Sequence, residues 1–293
     1  MRADAVIVEA AINEGAMRDA HPGVPYSATE CANAGLRCHA AGATIVHWHA
    51  RDARTGAMRA GDTETYAAAF APMRAANVLA YPTYPSDPVD DAHQRLAHCF
   101  ALAREHGLEM GPLDLGTVPL VNWMHGELHG RGTLANPYAF LVEAAATYRA
   151  LGVAMNLSSF DLGSTRLAVR MARAGVLPQP LLLKIYLSST WLIGPEPTEL
   201  GLDMHLDQLP DDVDVEWILV PFRLEDGVLY ERLVRHALER GGGVRVGLGD
   251  NAELFPGRSN ESLVEEVTEW AASPGRPIAS ADELRTRLGL RAR

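Results

Sequence analysis

A chain of 293 residues allows one large α/β domain or two smaller ones, and 47% hydrophobic residues are ample for a sizeable core. The net charge of -11, with no run of Lys or Arg, argues against nucleic acid and anionic membrane as partners and obliges any anion site to be local. No stretch approaches the roughly 18 apolar residues of a membrane span, and Cys31, Cys38 and Cys99 lack metal-finger spacing, so they read as reduced thiols of a cytoplasmic protein.

The chain opens on a strand over 5–11 (AVIVEAA), which Asp4 and Glu9 distinguish from a signal peptide. A helix over 28–41 follows, started by a Ser27–Glu30 capping box. The second strand, 44–49 (TIVHWH), leads through a helix at 63–76 to a third at 77–83 (NVLAYPT). A helix over 90–106, stopped by Gly107, precedes a fourth strand at 111–117 (GPLDLGT). Residues 120–135, with Trp123, His125 and His129, read as a long loop on the active face or at a subunit contact. Asn136 and Pro137 give an N-cap and a first-turn proline for a helix over 137–151, ended by Gly152.

Strands at 153–158 (VAMNLS), 181–187 (LLLKIYL), 214–220 (DVEWILV) and 243–248 (GVRVGL) continue the series. Helices at 164–174, ended by Gly175, at 228–240 and at 260–272 alternate with them. The stretch 188–213 is loop-like and acidic, with a short helix near 203–208, and a Ser280–Glu283 capping box starts a terminal helical extension at about 280–290. The strands are short and rich in Val, Ile and Leu, as strands buried on both faces are. Eight of them alternating with helices, without a linker, predict a single-domain (β/α)8 TIM barrel over 1–293.

In such a barrel the chemistry lies at the carboxyl ends of the strands. Strand two ends in His47 and His49, which alternation places on one face, a ready pair of metal ligands of the kind zinc takes. Arg51 continues that face and suits an anionic substrate. Polar groups recur at the other strand ends: Glu9, Asn13 and Glu14, then Thr83, Thr117, Ser158 and Ser159, and finally Asp250 and Asn251. Taken singly, Thr83, Thr117 and Asp250 are equally readable as turn or cap residues. Arg245, inside an apolar strand, must meet a carboxylate or a substrate anion, because a buried unpaired charge is too costly. The glycines of GGGVRVGLGDN precede and interrupt a strand, so they are not a dinucleotide fingerprint.

The segments AAIN, HPGVPYSATE, AGATIVHWHARD, GGGVRVGLGDN, SNESLVEEV and GRPIASADELRTRLGL, in that order, resemble the β-keto acid cleavage enzymes, with the match weakest over 120–240. The resemblance implies a zinc-dependent barrel, usually a homodimer or homotetramer, that converts a β-keto acid and acetyl-CoA into acetoacetate and an acyl-CoA. It implies that His47 and His49 hold the metal, that Arg245 and Asp250 are the polarising pair and base, and that Thr83 and Thr117 bind substrate and intermediates, with Glu14 matching an acidic residue of the first loop. It also exposes a departure. The family's third metal ligand is usually a glutamate directly before the aspartate, where this chain has Gly249, leaving Glu9, Glu14 or Asp250 to substitute. Segments YLSSTWLIGPEP and NLSSF also differ from the family form and suggest an uncharged or polar acyl group. Two other readings accompany this one: a metal-dependent aldolase or hydrolase that does not use CoA, and a metal-poor binding barrel.

Overall fold

The structure, a computed structural model, describes residues 5–86, 91–273 and 275–290. The described residues form ten strands: β1 Val8–Ala11, β2 Ile45–Trp48, β3 Leu79–Pro82, β4 Met110–Asp114, β5 Thr117–Met124, β6 Glu127–Ala135, β7 Ala154–Ser159, β8 Leu181–Ser188, β9 Val215–Phe222 and β10 Gly243–Val246. Eight form one parallel sheet in the order β3-β2-β1-β10-β9-β8-β7-β4. β4 lies back beside β3, so the sheet is a nearly closed TIM barrel, although no ladder joins those two strands among the described residues.

Inward residues set the barrel's two ends apart. At the amino-terminal end Ile7, Ile45, Leu79, Met110, Leu182 and Ile218 make an apolar layer, capped by Ala279, Ala281 and Leu284 of the segment that runs into the helix Ala281–Arg287. That segment is fixed by main-chain bonds between Val6 and both Pro277 and Ala279, and by a bond from the Thr44 hydroxyl to the Ala279 carbonyl. One step nearer the carboxyl ends the inward positions become polar: Glu9, His47, Tyr81, Asn156, Lys184 and Arg245, all buried. The apolar layer stabilises the barrel and the polar one is available for chemistry, the usual division in this architecture.

The helix starts read from sequence recur. Both capping boxes, Ser27–Glu30 and Ser280–Glu283, form, and Gly107 and Gly152 adopt the left-handed C-cap conformation. Four readings need correction. The N-cap before Tyr138–Leu151 is Pro137, and Asn136 instead donates to the Asp114 carbonyl at 2.9 Å. The helix expected over 90–106 is broken into Ala92–Arg95, Ala97–Ala101 and a wider turn at Leu102–His106, while residue 90 lies outside the described residues. The expected loop 120–135 is the antiparallel hairpin β5–β6. Its turn is His125–Gly126, both at positive φ, the two-residue geometry whose twist suits a hairpin. The strand expected to run to Thr117 ends at Asp114, and Thr117 begins the hairpin instead.

The hairpin leans over the barrel mouth. Trp123 N–H donates to the Thr190 carbonyl at 2.7 Å, Leu192 N–H to Val121 at 2.9 Å and Trp191 Nε1–H to Pro119 at 2.9 Å. These bonds tie it to the loop after β8 and turn Trp191 toward the mouth.

Candidate active site

The His47 and His49 rings come together as the strand alternation requires, with Nε2 atoms 3.1 Å apart. Between them Trp48 points outward against Tyr66 and Phe70. His47 Nδ1 lies 3.2 Å from the Tyr81 carbonyl. A carbonyl only accepts, so this bond puts the proton on Nδ1 and leaves the Nε2 lone pair facing His49, the usual way a supporting acceptor orients a metal-binding imidazole. Beyond the end of β2, Asn13 replaces the ladder: its amide accepts from His49 N–H at 2.8 Å and donates to His49 O at 2.9 Å. Burial pushes the His47 imidazole down to about 4, so it is neutral at physiological pH.

The third donor is Glu14. One carboxylate oxygen, Oε2, lies 3.0 Å from His47 Nε2 and 3.2 Å from His49 Nε2 and also contacts Arg245 Nη2. Burial opposes its ionisation, but His49 and Arg245 outweigh that and hold the carboxyl well below its usual range. The other two candidates are occupied. Glu9 accepts from Tyr81 Oη at 2.6 Å and Asn156 Nδ2 at 2.8 Å, and both Asp250 oxygens are held by Arg245 at 2.7 and 2.8 Å.

Gly249 makes the Glu14 position possible. A Cβ at residue 249 would stand 2.7 Å from both the Ala11 carbonyl and the Glu14 nitrogen. The first loop packs onto the bare backbone of Gly249, and a side chain there would displace it. Glu14 itself sits at φ 26, a region that non-glycine residues avoid. Arg51 holds it there: its guanidinium donates to the Asn13 and Glu14 carbonyls and to Gly56 O at 3.0 Å. Arg51 therefore positions the loop and does not face the cavity as an anion binder.

The three donors fit a metal. Ligand atoms of a tetrahedral zinc with bonds of about 2.05 Å are about 3.3 Å apart, against the 3.0 to 3.2 Å measured here. Two imidazoles and a carboxylate are a donor set that zinc accepts, and three protein ligands leave the fourth position for substrate.

Glu14, His47 and His49 line a cavity of about 550 Å3 at the barrel mouth. Thr83 lines it as well. Its far wall is apolar and aromatic: Leu120 and Leu134 of the hairpin, with Phe160, Tyr186, Trp191 and Phe222. Phe160 packs on Tyr186 and Trp191 with ring centroids 4.8 and 5.1 Å apart. Asp114 is a half-buried carboxylate in the same cavity. Thr117 is exposed at the foot of the hairpin and off the cavity, and Ser159 is occupied with Thr165 at 2.7 Å. Asp250 lines a neighbouring cavity of about 580 Å3, shared with Gly249 and Asn251. Burial raises its carboxyl to about 6 against the opposing pull of Arg245.

Sequence reasoning missed Lys184, Tyr186, Tyr81 and Asp114. Lys184 carried a usable signal, a charge in the middle of an apolar strand, the argument that singled out Arg245. The tyrosines carried none, since aromatics in strands are ordinary core residues.

A family model described as beta-keto acid cleavage enzyme matches residues 5–290. The chain is 28% identical over 291 residues to the 3-dehydrocarnitine:acetyl-CoA trimethylamine transferase of Rhizobium meliloti, covering 91% of this chain and 90% of that one. It is 26% identical to the 3-keto-5-aminohexanoate cleavage enzyme of Fusobacterium nucleatum, over 98% of each. Among solved structures, the apo form of ObcA superposes with a TM-score of 0.70 at 16% identity. That match covers 92% of this chain and 66% of the other, so the chain spans about two thirds of ObcA's length, and the likeness is one of fold.

Proposed function

The chain belongs to the beta-keto acid cleavage enzyme family, and we propose that it transfers an acyl group between a β-keto acid and acetyl-CoA, giving acetoacetate and an acyl-CoA. The observation that carries this reading is the convergence of Glu14, His47 and His49 on one point of a substrate-sized cavity. Bound there, zinc or another divalent metal would supply a Lewis acid for the keto oxygen of the substrate.

The chain's own residues do the rest. His47 stays neutral and, with His49, orients the site, while Thr83 offers a hydroxyl to the bound acid. Asp250 takes the proton from the carbon between the carbonyls; a carboxyl near 6 is both ionised and basic at neutral pH. Asp250 lines a cavity apart from the one that holds Glu14, His47 and His49, and Arg245 links the two by contacting both Glu14 and Asp250. Arg245, with its donors committed to carboxylates and Tyr186, keeps Asp250 oriented.

The aromatic wall suits an uncharged acyl group. A second reading is favoured by Asp114, whose carboxylate in the same cavity would suit a cationic acyl group against aromatic rings. A self-assembled form, as the resemblance implies, would find an apolar contact at the hairpin pair Trp123 and Leu128, both exposed.

The test is incubation of the zinc-loaded protein with β-keto acids bearing a tert-butyl or a trimethylammonium group, with and without acetyl-CoA. Acyl-CoA should form only when acetyl-CoA is present. Its absence for every acid tried sinks the transferase reading, and cleavage without acetyl-CoA points to an aldolase or hydrolase. Preference for the trimethylammonium acid, lost in Asp114→Asn, would establish the cationic alternative.

A further inference from the structure

Of the chain's basic residues 25 are arginine and one is lysine, Lys184. Arginine serves wherever this protein needs a positive charge on its surface or in an ion pair. The one ammonium is instead buried, 2% exposed, midway along β8, and it lines the cavity that holds Glu14, His47 and His49.

Its hydrogen bonding is incomplete. An ammonium has three donors, and Nζ gives one to the Tyr81 hydroxyl oxygen at 2.8 Å. The Tyr81 proton is committed to Glu9 Oε1 at 2.6 Å. No second acceptor bonds Nζ among the described residues. Leaving donors of a buried ammonium unmatched is costly unless something else satisfies them.

Among the described residues, the two arginines beside the cavity are engaged with carboxylates. All five Arg245 N–H groups are used: on both Asp250 oxygens, on Glu9, on Glu14 and on Tyr186. Arg59, at the rim, is held by Asp52 at 2.7 Å and faces Asp62 at 3.7 Å. In a protein of net charge -11, Lys184 adds a second local positive charge beside any metal held by Glu14, His47 and His49. A guanidinium at 184 would project further into the space the acid must fill, which accounts for lysine where every other position is arginine.

We propose that Lys184 is a substrate-binding residue whose ammonium takes a carboxylate oxygen of the acid lying against His47, His49 and Glu14. The proposal rests on the reading that this cavity receives a β-keto acid.

The single lysine makes the test direct. Zinc-loaded protein with 15N-labelled lysine has one side-chain ammonium resonance, which can be followed by NMR while acetoacetate or its methyl ester is added. The resonance should move with acetoacetate and stay in place with the uncharged ester. In calorimetry Lys184→Met should bind acetoacetate about tenfold or more weakly, with the ester within twofold of wild type and metal content unchanged. An ammonium resonance unmoved at saturating acetoacetate overturns the proposal, as does a folded Lys184→Met that binds the acid as tightly as wild type. If that variant does not fold, the wild-type NMR result decides. Acetoacetate that does not bind wild type at all overturns this proposal together with the reading beneath it, whereas binding without movement of the Lys184 signal overturns this proposal alone.

Discussion

At the scale of single residues, His47 and Glu14 make separable contributions. His47→Ala removes a buried neutral ligand from the surface of the polar layer while the apolar layer below is untouched. It should abolish stoichiometric metal binding with the circular dichroism spectrum unchanged; retained metal, measured by elemental analysis, would reject the site. Glu14→Gln keeps the shape and removes a charged donor, and should weaken metal binding by more than the roughly 10- to 100-fold that follows loss of a group merely supporting a ligand. Asp250 governs pH. Its carboxyl is raised to about 6, and only the ionised form accepts a proton. kcat/KM should therefore hold above pH 6 and fall about tenfold per unit below it. The same acid limb in Asp250→Asn would assign that titration to another group.

At the scale of elements, the hairpin β5–β6 shapes the cavity without touching the metal donors. Replacing it with a short turn should raise KM for the acid several-fold and leave metal content unchanged; unaltered KM would remove Leu120 and Leu134 from the substrate wall. The hairpin also shows where the sequence stops being legible. The eight barrel strands announce themselves as short apolar runs, because burial on both faces demands apolar side chains throughout. The arms at 117–135 are half solvated and carry no such run, so they read as loop. The imidazole pair was legible because strand alternation is a local rule. Glu14 could be named only as one of three substitutes, since choosing it requires knowing that Glu9 is held by Tyr81 and Asn156 and Asp250 by Arg245, partners between 5 and 147 residues away. Lys184 could have been found by the burial argument applied to Arg245.

At the scale of the whole molecule, stability and chemistry occupy opposite ends of the barrel. Leu284, fully buried in the amino-terminal layer, lies away from every cavity-lining group named above. Leu284→Ala should lower unfolding free energy by about 2–5 kcal/mol in denaturant titrations while kcat/KM of the folded enzyme stays within twofold. A large loss of activity at full folding would show that the two ends are coupled. No helix of the described residues is long and apolar enough to cross a membrane.

The contact between Gly249 and the first loop also constrains the order in which sequence could have changed. A glutamate restored at 249 would strike the Ala11 carbonyl and the Glu14 backbone, each 2.7 Å from its Cβ, before it could reach the imidazoles. Gly249→Glu alone should therefore be worse than Glu14→Gln for metal binding, although it restores the family's usual ligand. Gly249→Glu with a remodelled first loop should recover more than the sum of the separate changes, a non-additivity measurable in a double-mutant cycle. That outcome would make the two ligand choices alternatives that no single substitution at either position interconverts.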